Sequence, residues 1–231
     1  MDAIILAAGL GTRLRPHTLT IPKPLLPIRE RPILDWTLEA LPAVVNRVVV
    51  VVHYLAGQIE AYLRRQQRFD HWLAVTQEQP RGTGDALRAC REHVVSDRFL
   101  VLNGDDLYGA RDLEALARQP AGLLVHPVDE PRRYGIAVTK PDGTLERLVE
   151  KPDLDGRRLA NAGAYVFPRE VFACQPLVSA RGEYEITDIN RLYLQERTLR
   201  CVELTEPWFD IGTFDSLLRA SNYMAEKSKK K

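Results

Sequence analysis

The segment DAIILAAGLGTRLRP, residues 2–16, is followed closely by PKPL, residues 22–25. Its first five residues form a short apolar run that is typical of a buried strand. Two alanines and two glycines then leave backbone N–H groups uncovered, and such a loop can wrap the oxygens of a phosphate group. Arg13 and Lys23 add positive charge, and the prolines on both sides of Lys23 stiffen the backbone that carries it. The pattern predicts a strand that leads into a phosphate-binding loop.

Two common phosphate-binding loops do not match this segment. The dinucleotide fingerprint requires a third glycine, where this chain has Leu14, and an acidic residue after the second strand, where it has His53 and Tyr54. A Walker loop requires Gly-Lys-Ser or Gly-Lys-Thr, and the segment contains neither. What remains is a glycine-rich loop with an internal arginine and a lysine between two prolines.

The two segments together resemble the signature of the sugar-phosphate nucleotidylyltransferases, also called nucleoside-diphosphate-sugar pyrophosphorylases. That signature reads L-A-A-G-x-G-T-R-L-x-P-x-T followed by P-K-P-L, and the chain matches it over residues 6–18 and 22–25. The resemblance extends over about residues 2–222 and implies catalytic roles for Arg13 and Lys23. It also implies that the loop binds nucleotide through Leu6, Ala7, Ala8, Gly9, Gly11, Thr12 and Arg13.

Composition restricts the class of protein. The 231 residues, 45% of them hydrophobic, are enough to bury a sizeable core in one large domain or two small ones. Lys and Arg number 32 against 31 Asp and Glu, which gives no reason to expect a nucleic-acid or membrane surface. The cysteines Cys90, Cys174 and Cys201 are widely spaced and odd in number, which favours reduced thiols. With no leader pattern or membrane span in the sequence, we expect a cytoplasmic protein.

Apolar strand patterns alternate with helical ones along the first half of the chain. Helices are predicted at residues 32–41, 56–67 and 85–93, and strands at residues 47–52, 72–76 and 99–102. Five consecutive valines in the second strand suit a parallel strand that is covered on both faces. This alternation predicts an α/β fold with a doubly wound, mostly parallel, Rossmann-like sheet. The resemblance adds a small β-rich sugar-binding insertion of the nucleotide-diphospho-sugar transferase type.

We expect a single domain over residues 1–226. Residues 1–125 would form mainly the nucleotide-binding half and residues 126–226 mainly the sugar-phosphate-binding half. A final helix is predicted at residues 213–223, and the lysine-rich residues 227–231 are predicted to form a solvated basic tail. No hexapeptide repeat indicates an added β-helix domain, so the sequence fits the short form of the family.

Polar residues follow two of the predicted strands. Taken alone, Gly82-Thr83-Gly84 reads as a helix start, whereas the resemblance implies that Gln77, Gly82 and Thr83 bind a base. A side-chain amide offers both a donor and an acceptor, which the N3–H and O4 edge of uracil or thymine requires. Asp105 follows a buried strand, where a carboxylate can hold a hard cation, although a turn aspartate is the alternative. The resemblance makes Asp105 a nucleotide and metal ligand, with Asp106 ranked second.

The second half of the chain carries the family's other motifs. The resemblance assigns sugar-phosphate binding to five residues: Tyr134, Gly135, Glu150, Lys151 and Asn161. By composition alone, Glu150 and Lys151 would form a surface ion pair. Asp210, in the segment 208–213, resembles the family's second metal aspartate, and Mg²⁺ is the implied cofactor. Glu183 and Asp188 are weaker candidates for sugar contact, because both could equally cap or solvate a helix.

The resemblance implies that a nucleoside triphosphate and a sugar 1-phosphate are converted to a nucleoside-diphosphate sugar and pyrophosphate. UTP is favoured, while thymidylyl, guanylyl and cytidylyl transfer stay open. The sugar is expected to be a hexose or an N-acetylhexosamine. A regulator that binds nucleotide sugar without catalysis is a second hypothesis, and transfer to phosphocholine is a third. Few aromatic residues lie between Tyr134 and Asn161, which argues against a choline cage. The sequence does not indicate an oligomeric state.

Overall fold

The computed structural model describes residues 1–179 and 182–229. These residues form six α-helices: α1 (Ile33–Ala40), α2 (Ala56–Leu63), α3 (Thr83–Ala89), α4 (Ala110–Ala117), α5 (Ile186–Glu196) and α6 (Phe214–Lys229). The strands are β1 (Asp2–Leu6), β2 (Pro27–Ile28), β3 (Arg31–Pro32), β4 (Arg47–Val52), β5 (His71–Thr76), β6 (Arg98–Asn103), β7 (Asp106–Leu107), β8 (Gly122–Val128), β9 (Gly135–Thr139), β10 (Leu145–Glu150), β11 (Arg158–Pro168), β12 (Arg200–Glu203) and β13 (Phe209–Asp210).

Nine strands form one sheet, whose main path is β10-β9-β11-β6-β1-β4-β5. The strands β5, β4, β1 and β6 are parallel, and Ile5 of β1 lies between Val50 and Leu102 of its neighbours. Because the carboxyl ends of parallel strands meet at one edge, ligands collect there. The predicted doubly wound sheet is confirmed, and the predicted β-rich insertion is continuous with it.

Strand β11 joins the two parts of the sheet. Residues 164–168 pair antiparallel with β6, whereas Leu159 and Ala160 pair with β9 of the β9–β10 hairpin. On its other edge β11 pairs with β8, and the register of that pair shifts between Asn161 and Tyr165. A bulge of this kind bends a strand. The bend places Asn161 where the parallel half of the sheet meets the hairpin.

Side chains of the central strands pack alternately into two layers, as the five valines predict. Val48, Val50 and Val52 belong to one apolar cluster, Val49 and Val51 belong to the other, and all five are fully buried. Helices α1, α2 and α4 cover the first layer, and α3 and α5 cover the second. Burying a valine contributes on the order of 1.5–3 kcal/mol, so β4 anchors the sheet from both faces.

Helix ends differ most from the prediction. Helix α2 stops at Leu63 instead of residue 67, because residues 64–67 are polar and give it no apolar anchor. Helix α3 begins and ends earlier than predicted. Helix α6 continues past residue 223 to Lys229, because residues 224–227 contain no Gly or Pro and Met224 packs against the Leu14 cluster. Lys227–Lys229 are therefore helical instead of forming a tail, while residues 230–231 lie outside the described part.

The thiols are free, as predicted. Cys90 is fully buried, and burial raises the pKa of its thiol to about 12. Burial likewise raises the pKa of Cys201 to about 12. In the part of the chain that the structure describes, no helix combines the length and the apolar character needed to cross a lipid bilayer.

Candidate active site

The loop after β1 keeps its backbone donors free. Within residues 1–179 and 182–229, no acceptor takes the N–H groups of residues 8–11. Gly11 has a φ of 62°, and a Cβ at this position would lie 2.9 Å from the Cγ2 atom of Thr18, so only glycine fits. The Thr18 hydroxyl donates to the Gly11 carbonyl oxygen at 2.8 Å and holds the loop in place. A row of free amides is a concavity suited to an anion such as a phosphate.

Lys23 is a nearly buried cation beside this loop. It begins the short 3-10 helix Lys23–Leu25, and its ammonium group contacts Oδ2 of Asp105. The lysine side chain is 8% exposed and that of Asp105 is 35% exposed. The pair spans 82 positions of sequence and forms because β1 and β6 are neighbours. Lys23 is therefore a positive charge held in a fixed place at the carboxyl edge of the sheet.

Three carboxylates converge at the same edge. Strand β13 pairs antiparallel with β7, which sets Asp210 opposite Asp106 and close to Asp105. Oxygen atoms of the three side chains lie within 4.8 Å of one another. Burial, followed by the charges of Asp105 and Asp210, raises the pKa of the Asp106 carboxyl well above its ordinary value. An excess of carboxylate oxygens is the donor set that a hard divalent cation prefers, so these residues fit Mg²⁺.

Asp106 accepts hydrogen bonds from three side chains of the protein. Its Oδ2 atom accepts hydrogen bonds from the hydroxyl of Tyr108 at 3.1 Å and from the indole of Trp208 at 3.4 Å. Asn103 donates to the same oxygen at 3.4 Å. Because these bonds hold Asp106 in the protein interior, the less buried Asp105 and Asp210 are better placed to meet a ligand from solution.

Arg13 lies next to this cluster because it packs against Gly212, which comes shortly after β13. A Cβ on Gly212 would lie 2.9 Å from one guanidinium nitrogen of Arg13, so the arginine packs directly on that backbone. Gly212 is two residues beyond Asp210. The first loop and the segment 208–213 therefore meet in space, as two parts of one site must.

A cleft of about 440 Å³ opens in front of these elements, and its size suits a small-molecule ligand. Of the residues predicted to bind nucleotide, those that line the cleft are Leu6, Ala7, Ala8, Gly9, Gly11, Thr12, Gln77, Gly82, Thr83 and Asp105. Lys23 and Glu183 also line it, and Arg13 lies beside it without lining it. The structure thus brings the predicted nucleotide residues together.

A second depression contains part of the predicted sugar-phosphate set. Glu150 and Lys151 line it with Asp188 of α5. The Gly135 backbone lies against both Glu150 and Thr187, since a Cβ there would meet their side chains at 3.1 and 3.5 Å. Lys151 has a φ of 40°, an unfavourable conformation for a residue with a side chain, and its own side chain is 48% exposed. Strain of this kind is concentrated at ligand sites.

Tyr134 connects the sugar-phosphate set to the carboxylates. Its ring lies 5.5 Å from the ring of Trp208, whose indole N–H donates to Asp106. The side-chain amide of Asn161 donates a hydrogen bond to the hydroxyl of Tyr165 at 2.6 Å. Its side-chain oxygen accepts one from the backbone N–H of Gly163 at 3.1 Å. Part of the hydrogen-bonding capacity expected for a sugar is therefore already used inside the protein.

A family model described as Nucleotidyl transferase matches residues 2–227. The chain belongs to this nucleotidyl transferase family. The resemblance predicted from the first loop is therefore confirmed.

Relatives in the nucleotidyl transferase family carry several names. The bifunctional protein GlmU of Methanocaldococcus jannaschii is 33% identical over 229 residues, covering 98% of this chain and 55% of that protein. The mannose-1-phosphate guanylyltransferase catalytic subunit beta of Xenopus tropicalis is 35% identical, covering 92% of this chain and 61% of that protein. The chain thus spans little more than half the length of these curated relatives.

A solved structure of the same type supports the fold. The putative glucose-1-phosphate thymidylyltransferase from Bacillus anthracis, in complex with a sucrose, superimposes with a TM-score of 0.83 at 31% identity. The match covers 96% of this chain and 94% of that chain. The mostly parallel central sheet with helices on both faces is therefore the fold of a nucleotidyl transferase domain.

Sequence reasoning missed several residues at this nucleotidyl transferase site. Thr187 is 6% exposed, and its hydroxyl has no hydrogen-bond partner among the described residues, although it lies beside Gly135 and Glu150. Trp208, in the segment 208–213, joins Tyr134 to Asp106. Neither role has a signal in one sequence, because each depends on contacts between distant strands. Other cleft residues, namely Leu10, Pro24, Pro80, Ala86, Asn103 and Gly104, have no distinctive chemistry.

Gly82 offers a test of the local geometry. It has a φ of 100° and a ψ of 173°, a region that only glycine occupies readily, and a Cβ would lie 2.5 Å from the carbonyl oxygen of Tyr184. We expect Gly82→Ala to lower the free energy of unfolding by about 2–3 kcal/mol, as strained backbone and a clash together imply. Urea unfolding followed by circular dichroism measures this change.

Gly57→Ala is the matched control for that measurement. Gly57 lies in α2, is exposed, and has open space where a Cβ would stand. Alanine should raise the free energy of unfolding there by up to about 1 kcal/mol, because it is the better helix former. Equal stabilities for Gly82→Ala and the unaltered protein would contradict the described loop.

Proposed function

We propose that this chain is a sugar-1-phosphate nucleotidylyltransferase. A phosphate oxygen of the sugar 1-phosphate attacks the α-phosphorus of a nucleoside triphosphate and forms a new P–O bond. The bond from that phosphorus to the oxygen bridging to the β-phosphate breaks, and pyrophosphate leaves. Such transfers require mainly positioning and charge neutralisation, with little covalent work by the protein.

The observation that carries this proposal is that Asp210 lies close to Asp105, which contacts Lys23, and that Asp105 and Lys23 both line the cleft beside the glycine loop. A site that only binds a nucleotide needs cations and amides. It gains nothing from bringing carboxylates to the same place, because they repel phosphate. Carboxylates beside a phosphate loop are useful when they hold a metal ion against the phosphates.

The residues of the glycine loop and the carboxylate cluster each have a proposed role. The free amides of the loop cradle the phosphates of the nucleotide. Lys23 lies near the α-phosphate and stabilises the charge that develops there, and Arg13 neutralises the departing β- and γ-phosphates. Asp105 and Asp210 would hold Mg²⁺, which supplies further charge neutralisation for the phosphates.

The second half is proposed to hold the attacking group. Lys151 binds the phosphate of the sugar 1-phosphate, and Glu150 accepts hydrogen bonds from the sugar hydroxyls. Tyr134, Gly135 and Asn161 complete the sugar-phosphate site. Support comes from the adjacency of Glu150, Gly135 and Thr187 and from the contact of Tyr134 with Trp208. Residues 1–125 would then act mainly on nucleotide and residues 126–226 mainly on sugar phosphate, within one cytoplasmic domain.

UTP is the proposed nucleotide and a hexose or N-acetylhexosamine 1-phosphate the proposed acceptor. Gln77 and Gly82 line the cleft together, as a site for a uracil edge requires. The names of the relatives include a guanylyltransferase and a thymidylyltransferase, so these activities are the alternatives within the family. A regulator that binds nucleotide sugar without turnover is the alternative outside catalysis.

Release of pyrophosphate tests the proposal directly. UTP, dTTP, GTP, CTP and ATP are each combined with a panel of sugar 1-phosphates and with phosphocholine, in the presence of Mg²⁺. We expect the strongest release with UTP and one sugar 1-phosphate, and loss of release when a chelator removes the metal. Binding of nucleotide by calorimetry without release for any pair would instead support the regulator.

A further inference from the structure

The side-chain amide of Gln77 is held by two acceptors of the protein. Its Nε2 atom donates to the carbonyl oxygen of Gly82 at 3.1 Å and to Oδ2 of Asp85 at 2.9 Å. Gln77 is only 3% exposed and lines the nucleotide cleft. Both amide hydrogens are therefore used, and the Oε1 atom accepts no hydrogen bond from any residue that the structure describes.

The orientation of this amide is dictated by the two acceptor oxygens that face it. A rotated amide would place Oε1 against the Gly82 carbonyl and the Asp85 carboxylate, so three acceptors would face one another without a donor. Asp85 is the stronger of the two partners, because a hydrogen bond to a carboxylate is about twice as strong as one between neutral groups. Its side chain is 18% exposed and pairs with Arg81 at 3.6 Å, so it is held beside Gln77.

A second polar group of the cleft is a hydrogen-bond donor, whereas Gln77 Oε1 is an acceptor. The backbone N–H of Gly82 has no hydrogen-bond acceptor within the described residues. The cleft therefore offers one acceptor, Gln77 Oε1, and one donor, Gly82 N–H. Uracil and thymine present a donor at N3 and an acceptor at O4, which complement this pair. Cytosine in the same pose presents an acceptor at N3 and a donor at N4, so both contacts become repulsive.

We propose that Asp85 is a positioning residue that sets base specificity: by holding the Gln77 amide, it makes the cleft accept bases that carry an imino N–H and reject cytosine. The inference rests on the proposed function, because it takes the cleft to be the base site. Sequence reasoning assigned Gln77 both a donor and an acceptor toward the base. The structure uses its donors internally, so the discrimination depends on a residue that does not itself touch the base.

The test compares UTP with CTP, which match in ring size and charge. Binding of each to the full chain with Mg²⁺ is measured by calorimetry without sugar phosphate, and pyrophosphate release is measured in parallel. We expect the unaltered protein to bind UTP at least about 100-fold more tightly than CTP, as polar mismatches at a buried site imply. Asp85→Ala frees the amide to rotate, and we expect it to reduce this ratio at least tenfold, mainly through weaker UTP binding.

Two further variants separate positioning from a structural role. Asp85→Asn removes the charge at the start of α3 but keeps an oxygen acceptor for Gln77, so the ratio should stay within about threefold of that of the unaltered protein. Arg81→Ala removes the ion pair of Asp85 and should likewise keep the ratio. If the alanine variant fails to fold, Asp85→Ser, whose hydroxyl is too short to reach Gln77, carries the same expectation.

The outcomes distinguish this inference from the proposed function. An unchanged UTP-to-CTP ratio in folded Asp85→Ala overturns the positioning role, and so does equal use of UTP and CTP by an unaltered protein that releases pyrophosphate. A protein that prefers UTP in binding, loses that preference in Asp85→Ala and never releases pyrophosphate supports the inference while it overturns the enzyme. A loss of the ratio in Asp85→Asn equal to that in Asp85→Ala would assign the effect to helix charge and overturn the inference.

Discussion

Replacing Lys23 by alanine should lower turnover on the order of a hundredfold or more while the protein stays folded. The ammonium group of Lys23 lies beside Asp105 at the cleft, and the side chain is almost fully buried there. In the proposed reaction it faces the charge that grows on the α-phosphate, and losing one such preorganised donor costs about 10²–10³ in turnover. The expected change is in kcat, with a smaller change in KM, because the interaction strengthens in the transition state.

The protein should stay folded but become less stable, because the three carboxylates lose a neighbouring cation. Asp105 loses its partner, but its side chain is 35% exposed, so water can solvate the carboxylate. Lys140→Ala is a suitable control, because Lys140 is an exposed lysine at the β9–β10 turn. Steady-state pyrophosphate release and urea unfolding are measured for both variants. Turnover within threefold of the unaltered value in a folded Lys23→Ala protein would remove Lys23 from the mechanism.

Local patterns made much of the fold predictable. The five valines of β4 predict a strand buried on both faces. The sequence Pro-Asp-Gly-Thr at residues 141–144 is typical of a turn between two strands, and β9 and β10 form a hairpin there. Each depends on neighbours in sequence, which is why one chain is enough to read them. The end of α6 could not be read in the same way, because it depends on packing of Met224 against a cluster that includes Leu14, about two hundred residues earlier.

The candidate site was predictable in its residue types but not in its contacts. The motif resemblance supplied Lys23, Asp105 and Asp210. Their spacing in the sequence does not indicate that Lys23 contacts Asp105, or that the pairing of β13 with β7 brings Asp210 close to Asp105. Gln77 is the clearest example of contacts that the sequence does not predict. Its identity predicts a donor and an acceptor, whereas the neighbouring Asp85 and Gly82 use both donors. What a polar side chain offers a ligand is what its protein partners leave over.

Replacing Asp210 by asparagine should lower turnover on the order of 10²–10³ and raise the Mg²⁺ concentration needed for half-maximal rate. Asn keeps the shape of the side chain but removes one acidic group from a cluster of three whose oxygen atoms lie within 4.8 Å of one another. Without bound metal these groups repel one another, so the same change should leave the free energy of unfolding equal or higher by up to about 1 kcal/mol. Magnesium titrations of pyrophosphate release and metal-free urea unfolding measure the two effects.

Lower turnover together with equal or higher stability is expected only if Asp210 is a functional carboxylate. If Asp210 only stabilised β13, its replacement would reduce stability and activity together. Asp215→Asn is the control, since Asp215 is exposed in the first turn of α6, five residues further along the chain. The turnover of Asp215→Asn should equal that of the unaltered protein. Its free energy of unfolding should fall by about 0.3–1 kcal/mol, because an acidic group in the first turn interacts favourably with the helix dipole. A less stable Asp210→Asn protein with an unaltered magnesium requirement would show that the carboxylates are structural and that the metal site lies elsewhere.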